Sequence, residues 1–117
     1  MKNIDEFGKY TKWSKRKTFK EERDLVIMAV EDKDEKIKEY LAPLIQYWWN
    51  GFKKHSQTKL TDKEILKIGF INLEPALRTY YEKLKKEKVG FKFSTYFEWF
   101  IRQGFIDYLK ENESNIK

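Results

Sequence analysis

Three Thr-x-x-Glu spacings, Thr18–Glu21, Thr61–Glu64 and Thr95–Glu98, each stand at the head of an apolar run with a helical period. In this arrangement the threonine hydroxyl accepts from the N–H three residues on. The glutamate reaches back to the threonine N–H, so two donors that a helix start leaves unpaired are satisfied locally. With two prolines and five glycines in 117 residues, the chain has few points at which a helix must stop. It reads as all-α, a compact bundle of roughly four helices around one modest core.

The first helix is expected over 19–31, with Leu25, Met28 and Ala29 as its apolar stripe and Val26 and Ile27 widening it. After the charged turn Asp32-Lys33-Asp34, a second runs over 35–54, with Ile37, Leu41, Leu44, Ile45 and Trp48 facing the core. Pro43 implies a kink there or a break just before it. Thr61 opens a third helix, with Leu60 and Ile65 placed as a hydrophobic staple. That helix carries Ile65, Leu66, Ile68, Ile71, Leu73, Leu77 and Tyr81, bent at Pro75. The last helix is expected to begin just after Thr95 and to run to Asn112, setting Phe97, Ile101, Gly104, Phe105 and Tyr108 on one side. The organisation is then a flexible basic arm (1–18), a helical domain (19–112) and a polar tail (113–117). In the arm, Tyr10 and Trp13 stand among Lys9, Lys12, Lys15, Arg16 and Lys17, placed to contact nucleic acid or to dock on the body.

The formal net charge of +6 favours an anionic partner. The chain has no cysteine and a single histidine, His55. Disulfides and thiolate chemistry are excluded, and neither a metal site nor a Ser-His-Asp arrangement has its parts. No Gly-rich phosphate loop is present. The chain is therefore expected to be no enzyme and to need no cofactor. With no apolar run of membrane-spanning length and no signal-peptide core, a cytoplasmic location is expected.

The last helix is unusual on its second side, where Tyr96, Trp99, Phe100 and Gln103 stand in place of charged residues. A helix that is apolar most of the way round is deeply buried or keeps one face for a partner. Two readings follow. Aromatics at helical spacing are ordinary core, or they form a ledge on which unpaired bases stack while Lys92 and Arg102 meet phosphates. The lysines at 83, 85, 86 and 88 are either a solvated face or a source of phosphate attraction.

The segment Gly90-Phe91-Lys92-Phe93-Ser94-Thr95-Tyr96-Phe97-Glu98-Trp99-Phe100-Ile101-Arg102-Gln103 closely resembles region 2 of bacterial sigma-70 family factors. The helix, acidic turn and aromatic-rich helix that precede it resemble the beginning of that region. The resemblance implies a sigma region 2-like fold. It also implies a transcription initiation protein that binds and melts the promoter minus-ten element, holding the non-template single strand together with RNA polymerase core. Phe91, Phe93, Tyr96, Trp99 and Phe100 would form the stacking surface, with Tyr96 and Trp99 as the wedge at the upstream edge of the bubble. Thr95 would contact the strand near that edge, Gln103 would read the adjacent paired base, and Lys92 and Arg102 would neutralise phosphates. The polymerase clamp coiled coil would dock on the helix holding Glu64, Lys67, Ile68 and Phe70.

Departures from the family pattern fall in both places. Lys67, Ile68 and Phe70 stand where an amide, an acid and an asparagine are usual, which weakens or redirects the clamp contact. Phe100 stands where a second tryptophan is frequent, Phe97 and Glu98 where small residues are common, and Ile106 lacks the hydroxyl that often assists the position of Gln103. Where the chain stops, a sigma factor acting alone continues into upstream recognition. The chain is thus expected to be an excised domain, or a truncated protein relying on a second protein for that step. The rival readings are a sigma-like interaction protein, either half of a split factor or a mimic of sigma, and a non-specific single-strand binder.

Overall fold

The structure, a computed structural model, describes residues 16–86 and 89–113. Tyr10, Trp13, the arm lysines before Arg16, Lys88 and residues 114–117 lie outside the described residues. Among the described residues the fold is all-α, with α1 Phe19–Glu31, α2 Lys36–Phe52, α3 Asp62–Gly69, α4 Leu73–Lys86 and α5 Phe93–Glu113, and a 3-10 turn, Lys53–His55, after α2. No helix among the described residues is long and apolar enough to cross a membrane.

Two of the three expected boxes form. Thr18 accepts from Glu21 N–H, and Glu21 reaches back to Thr18 N–H, so α1 starts where its sequence places it. The same pair of bonds joins Thr61 and Glu64 at α3. The bonds from Thr18, and then Lys17 and Lys92 nearby, hold the Glu21 carboxyl below the usual range. Between α1 and α2 the chain reverses at Lys33, whose φ of 56° lies in the left-handed region that most residues avoid. Asp34 Oδ1 then accepts from Lys36 N–H at 2.7 Å, tying down the first turn of α2.

The prolines act differently from one another. Pro43 does not break α2, which is helical on both sides of it. Its missing N–H deprives the Glu39 carbonyl of a partner, but Glu39 and Pro43 are both exposed, so water can take that place. Pro75 has the larger effect. The single bent helix expected over this region is instead two helices, divided at Phe70-Ile71-Asn72. In a continuous helix the Pro75 ring would press on the Ile71 carbonyl. Restarting at Leu73 puts Pro75 in the first turn, where no intrahelical donor is needed. Tight bonds close the break, from Ile71 N–H to Ile68 C=O and from Leu73 N–H to Phe70 C=O.

The core runs through each of the described helices: Leu25 and Val26, then Ile37, Leu41, Leu44, Ile45 and Trp49, then Ile65, Leu73, Ala76, Leu77 and Tyr80, and finally Phe93, Phe97, Ile101 and Phe105. Trp49, rather than Trp48, is the buried tryptophan of α2, its ring 5.2 Å from Phe105. Trp48 lies half-buried at the edge of the stripe. The short helix α3 is wedged between α2 and α5 with no room for a side chain at two glycines. A Cβ on Gly69 would meet Ile45 Cγ2 at 2.4 Å, and one on Gly104 would meet the Ile68 carbonyl at 3.0 Å. Ile45 is fully buried and branched at Cβ, so it cannot swing aside. Gly69→Ala is therefore expected to destabilise the fold by about 1–3 kcal/mol despite alanine's better helix propensity, read as a fall in urea midpoint.

Candidate nucleic-acid interface

The third expected box does not form, and its replacement sets the geometry of the site. α5 begins at Phe93, two residues before Thr95, with Tyr96 N–H bonded to Lys92 C=O at 3.1 Å. The two donors of Ser94, in its first turn, are satisfied from α1. Glu22, buried to 1% exposure, accepts from Ser94 N–H at 2.9 Å and from the Ser94 hydroxyl at 2.7 Å. Its second oxygen also accepts from the Tyr40 hydroxyl at 2.6 Å. A carboxylate inside the protein is tolerable when it accepts several hydrogen bonds and faces the positive end of a helix dipole, and Glu22 has both. Burial, and then the bond to Glu22, push the Tyr40 phenol well up, so it stays a donor at neutral pH.

Thr95 is consequently free of a capping role. Its hydroxyl accepts from Arg16 Nη2 at 3.0 Å, and the same nitrogen donates to Ser94 Oγ at 3.1 Å. Lys17 N–H donates to the Tyr40 hydroxyl, and Lys92 Nζ to the Lys17 carbonyl. Arg16 and Lys17, expected to belong to the flexible arm, are thus tied to the body beside the start of α5. Thr95→Ala is expected to change stability by less than about 0.5 kcal/mol, whereas Thr61→Ala removes a working cap and costs about 1 kcal/mol. Urea titrations of the two variants check the difference.

The early start of α5 also decides which rings are inside. Phe93 is 1% exposed and stacks on Phe97, centroids 5.5 Å apart and planes 12° apart. It belongs to the core and not to a surface that a base can reach. Phe91, two residues earlier, is 40% exposed, and Tyr80 donates to its carbonyl at 2.6 Å. Burial and the charge of Glu22 push the Tyr80 phenol up to about 12, so that bond persists across neutral pH.

From Phe91 a row of rings crosses the surface. Phe91 stacks on Tyr96 at 5.8 Å, Tyr96 meets Phe100 edge-on at 5.2 Å, and Phe100 meets Trp99 edge-on at 5.2 Å. Both ends are open, Trp99 at 56% exposure, while Tyr96 and Phe100 are half-buried. Beneath them lie Tyr80, Phe93 and Phe97, which fix the row from below. Gln103, one turn beyond Trp99, donates from Nε2 to Asp107 at 3.0 Å. An amide has a second Nε2 hydrogen and its carbonyl, so the pair of groups that reads an adenine edge is still complete. Arg102 is exposed, with its guanidinium 5.7 Å from the centre of the Trp48 ring.

The expected docking face is less coherent. Glu64 is engaged in the α3 box and Lys67 is exposed, but Ile68 and Phe70 pack against the core, Phe70 stacking on Phe97 at 6.4 Å. The residue that projects there is Ile71, at 66% exposure. The break ahead of Pro75 turns it outward, a consequence that the reading of one continuous helix missed. Glu22 was missed too, although its position on the same side of α1 as Leu25, Val26 and Ala29 was a signal. An acid in line with an apolar stripe has to find a buried partner.

No family model, curated protein or solved structure matches the chain.

Proposed function

We propose that the chain is a sigma region 2-like protein that holds the unpaired strand of a promoter minus-ten element in concert with RNA polymerase core. The row Phe91–Tyr96–Phe100–Trp99 carries this reading. It is a line of rings at the surface, open at Phe91 and Trp99, half-buried at Tyr96 and Phe100 and braced from below by buried rings, which is the arrangement a single strand needs in order to stack without the surface giving way. Flipping a base out of a duplex costs a few kcal/mol, and each stacked base returns about 1–3 kcal/mol, so several rings in register are required. The exposed Arg102 flanks the row as a phosphate contact, Lys92 and Thr95 can join it only with the donors and lone pairs left over from their bonds to Lys17 and Arg16, and Gln103 stands at the end of the row to read a base edge. The resemblance of residues 90–103 to the family supports the same assignment, with the site at Phe91, Tyr96, Trp99 and Phe100 and without Phe93.

A protein partner is the second reading, favoured by Ile71. A large aliphatic side chain lies open on the α3–α4 turn, near Gly104 and one turn on from the exposed Lys67. Polymerase core, or a second protein supplying upstream recognition, would cover it. The experiment is binding of the full chain to a TATAAT-like single strand and to the same bases scrambled. Preference for the first supports a promoter reader. Equal binding that vanishes with salt reduces the site to a basic surface.

A further inference from the structure

Beyond Trp99 the surface does not end. Three residues on, about 4.5 Å along the helix axis, Arg102 lays its guanidinium over Trp48 and so joins α5 to the outer side of α2. There Trp48 meets Tyr47 edge-on at 5.8 Å, and the two border an open groove of about 450 Å³ that Gln46, Asn50, Gly51 and Lys54 complete. A neighbouring groove of about 500 Å³ shares Gln46 and Lys54 as walls and adds Lys53 and Lys59, with one carboxylate, Asp62, in its lining. The three lysines are exposed, and no carboxylate is bonded to them among the described residues. The Trp48 indole Nε1 is buried with no hydrogen-bond partner among the described residues.

Rings at one end, amides in the middle and unpaired lysines at the other are the chemistry of a nucleic-acid strand, with bases against Tyr47 and phosphates against Lys53, Lys54 and Lys59. An acidic protein segment would match the lysines but would have no use for the rings and amides in line with Trp99. We propose that this groove on α2 is a second single-strand site, continuous with the aromatic row through Arg102, so that the strand leaving Trp99 passes over Arg102 into it. The inference rests on the row itself binding an unpaired strand.

The test uses the full chain and oligothymidylates of about 6 and about 18 nucleotides, near the lower end of the roughly 4–16 nucleotides that one small single-strand-binding fold spans and beyond its upper end. Affinity is measured against salt concentration. The long strand is expected to bind more tightly, with a salt slope steeper by about 2, as three lysines contribute about 0.7 each. Lys53→Gln, Lys54→Gln and Lys59→Gln together should remove that extra slope and leave the short strand unaffected. Gly51→Gln is the second variant. A Cβ at Gly51 meets nothing within 4 Å, and glutamine is the better helix former, so the fold is retained while the groove fills. It should weaken the long strand by at least about fivefold, the loss of one stacked base. If these variants leave the long strand's affinity and slope intact while Trp99→Ala weakens both lengths, the row stands and the α2 site is overturned. Equal weakening of both lengths by the lysine variants would also overturn it, leaving only general charge attraction. Failure of the unaltered chain to bind either strand would remove both readings.

Discussion

Glu22→Ala is expected to lower the unfolding free energy by about 3–5 kcal/mol, a large part of the 5–15 kcal/mol typical of a whole domain. The reason lies in what the carboxylate leaves behind. Ser94 N–H, the Ser94 hydroxyl and the Tyr40 hydroxyl all donate to it, and Ser94 is itself fully buried. Removing an acceptor while its donors stay buried costs the desolvation of each donor, about 1–3 kcal/mol apiece. The start of α5 would lose its cap. Glu22→Gln keeps the shape and one acceptor oxygen, but puts an NH2 group against a hydroxyl donor or the Ser94 N–H, so it should fall between wild type and alanine. Urea unfolding followed by circular dichroism reads the order wild type, glutamine, alanine. A Glu22→Ala variant as stable as wild type would mean that α5 does not depend on α1 for its start.

That dependence also explains where the sequence was legible. At Thr18 and Thr61 all the groups that make the cap lie within four residues, and both helices begin where the spacing places them. Thr95–Glu98 has the same spacing, yet it competes with a tertiary arrangement. Starting α5 two residues earlier buries Phe93 against Phe97 and pairs the buried Glu22, which a start at Thr95 would leave without its Ser94 donors. A local pattern cannot show a partner 72 residues away in the chain. The exchange of Trp48 for Trp49 has a similar origin. Both lie near the edge of the α2 stripe, and the position of Phe105 across the interface decides which is covered. The exposed row was readable because it breaks the usual rule: Tyr96, Trp99 and Phe100 occupy the side of α5 that should be polar. What could not be read was which flanking phenylalanine joins it, since Phe91 and Phe93 differ only in which side of the helix start they fall.

The second large effect separates the row from the core beneath it. Trp99→Ala is expected to lower affinity for a minus-ten single strand by about 5- to 150-fold, the loss of about 1–3 kcal/mol of stacking on one base. Its cost to the fold should be small, because Trp99 is 56% exposed and, among the described residues, its ring meets only Phe100, edge-on. Phe97→Ala makes the opposite trade. That ring is fully buried, packed on Phe93 and Phe70, and its removal should cost about 3–5 kcal/mol of stability. Tyr96 lies between the two cases, touching Phe91, Phe100 and Tyr80, so Tyr96→Ala should lose both stability and binding. Anisotropy of a labelled strand and urea unfolding, measured on the same three variants, give two independent orderings. Binding should be lost at Trp99 without loss of fold, and fold at Phe97 first. If Trp99→Ala unfolds the chain, the outer ring is part of the core and the row is no platform. If it leaves both stability and binding unchanged, the strand lies elsewhere, and the exposed Ile71 with its protein partner becomes the better account of what this surface is for.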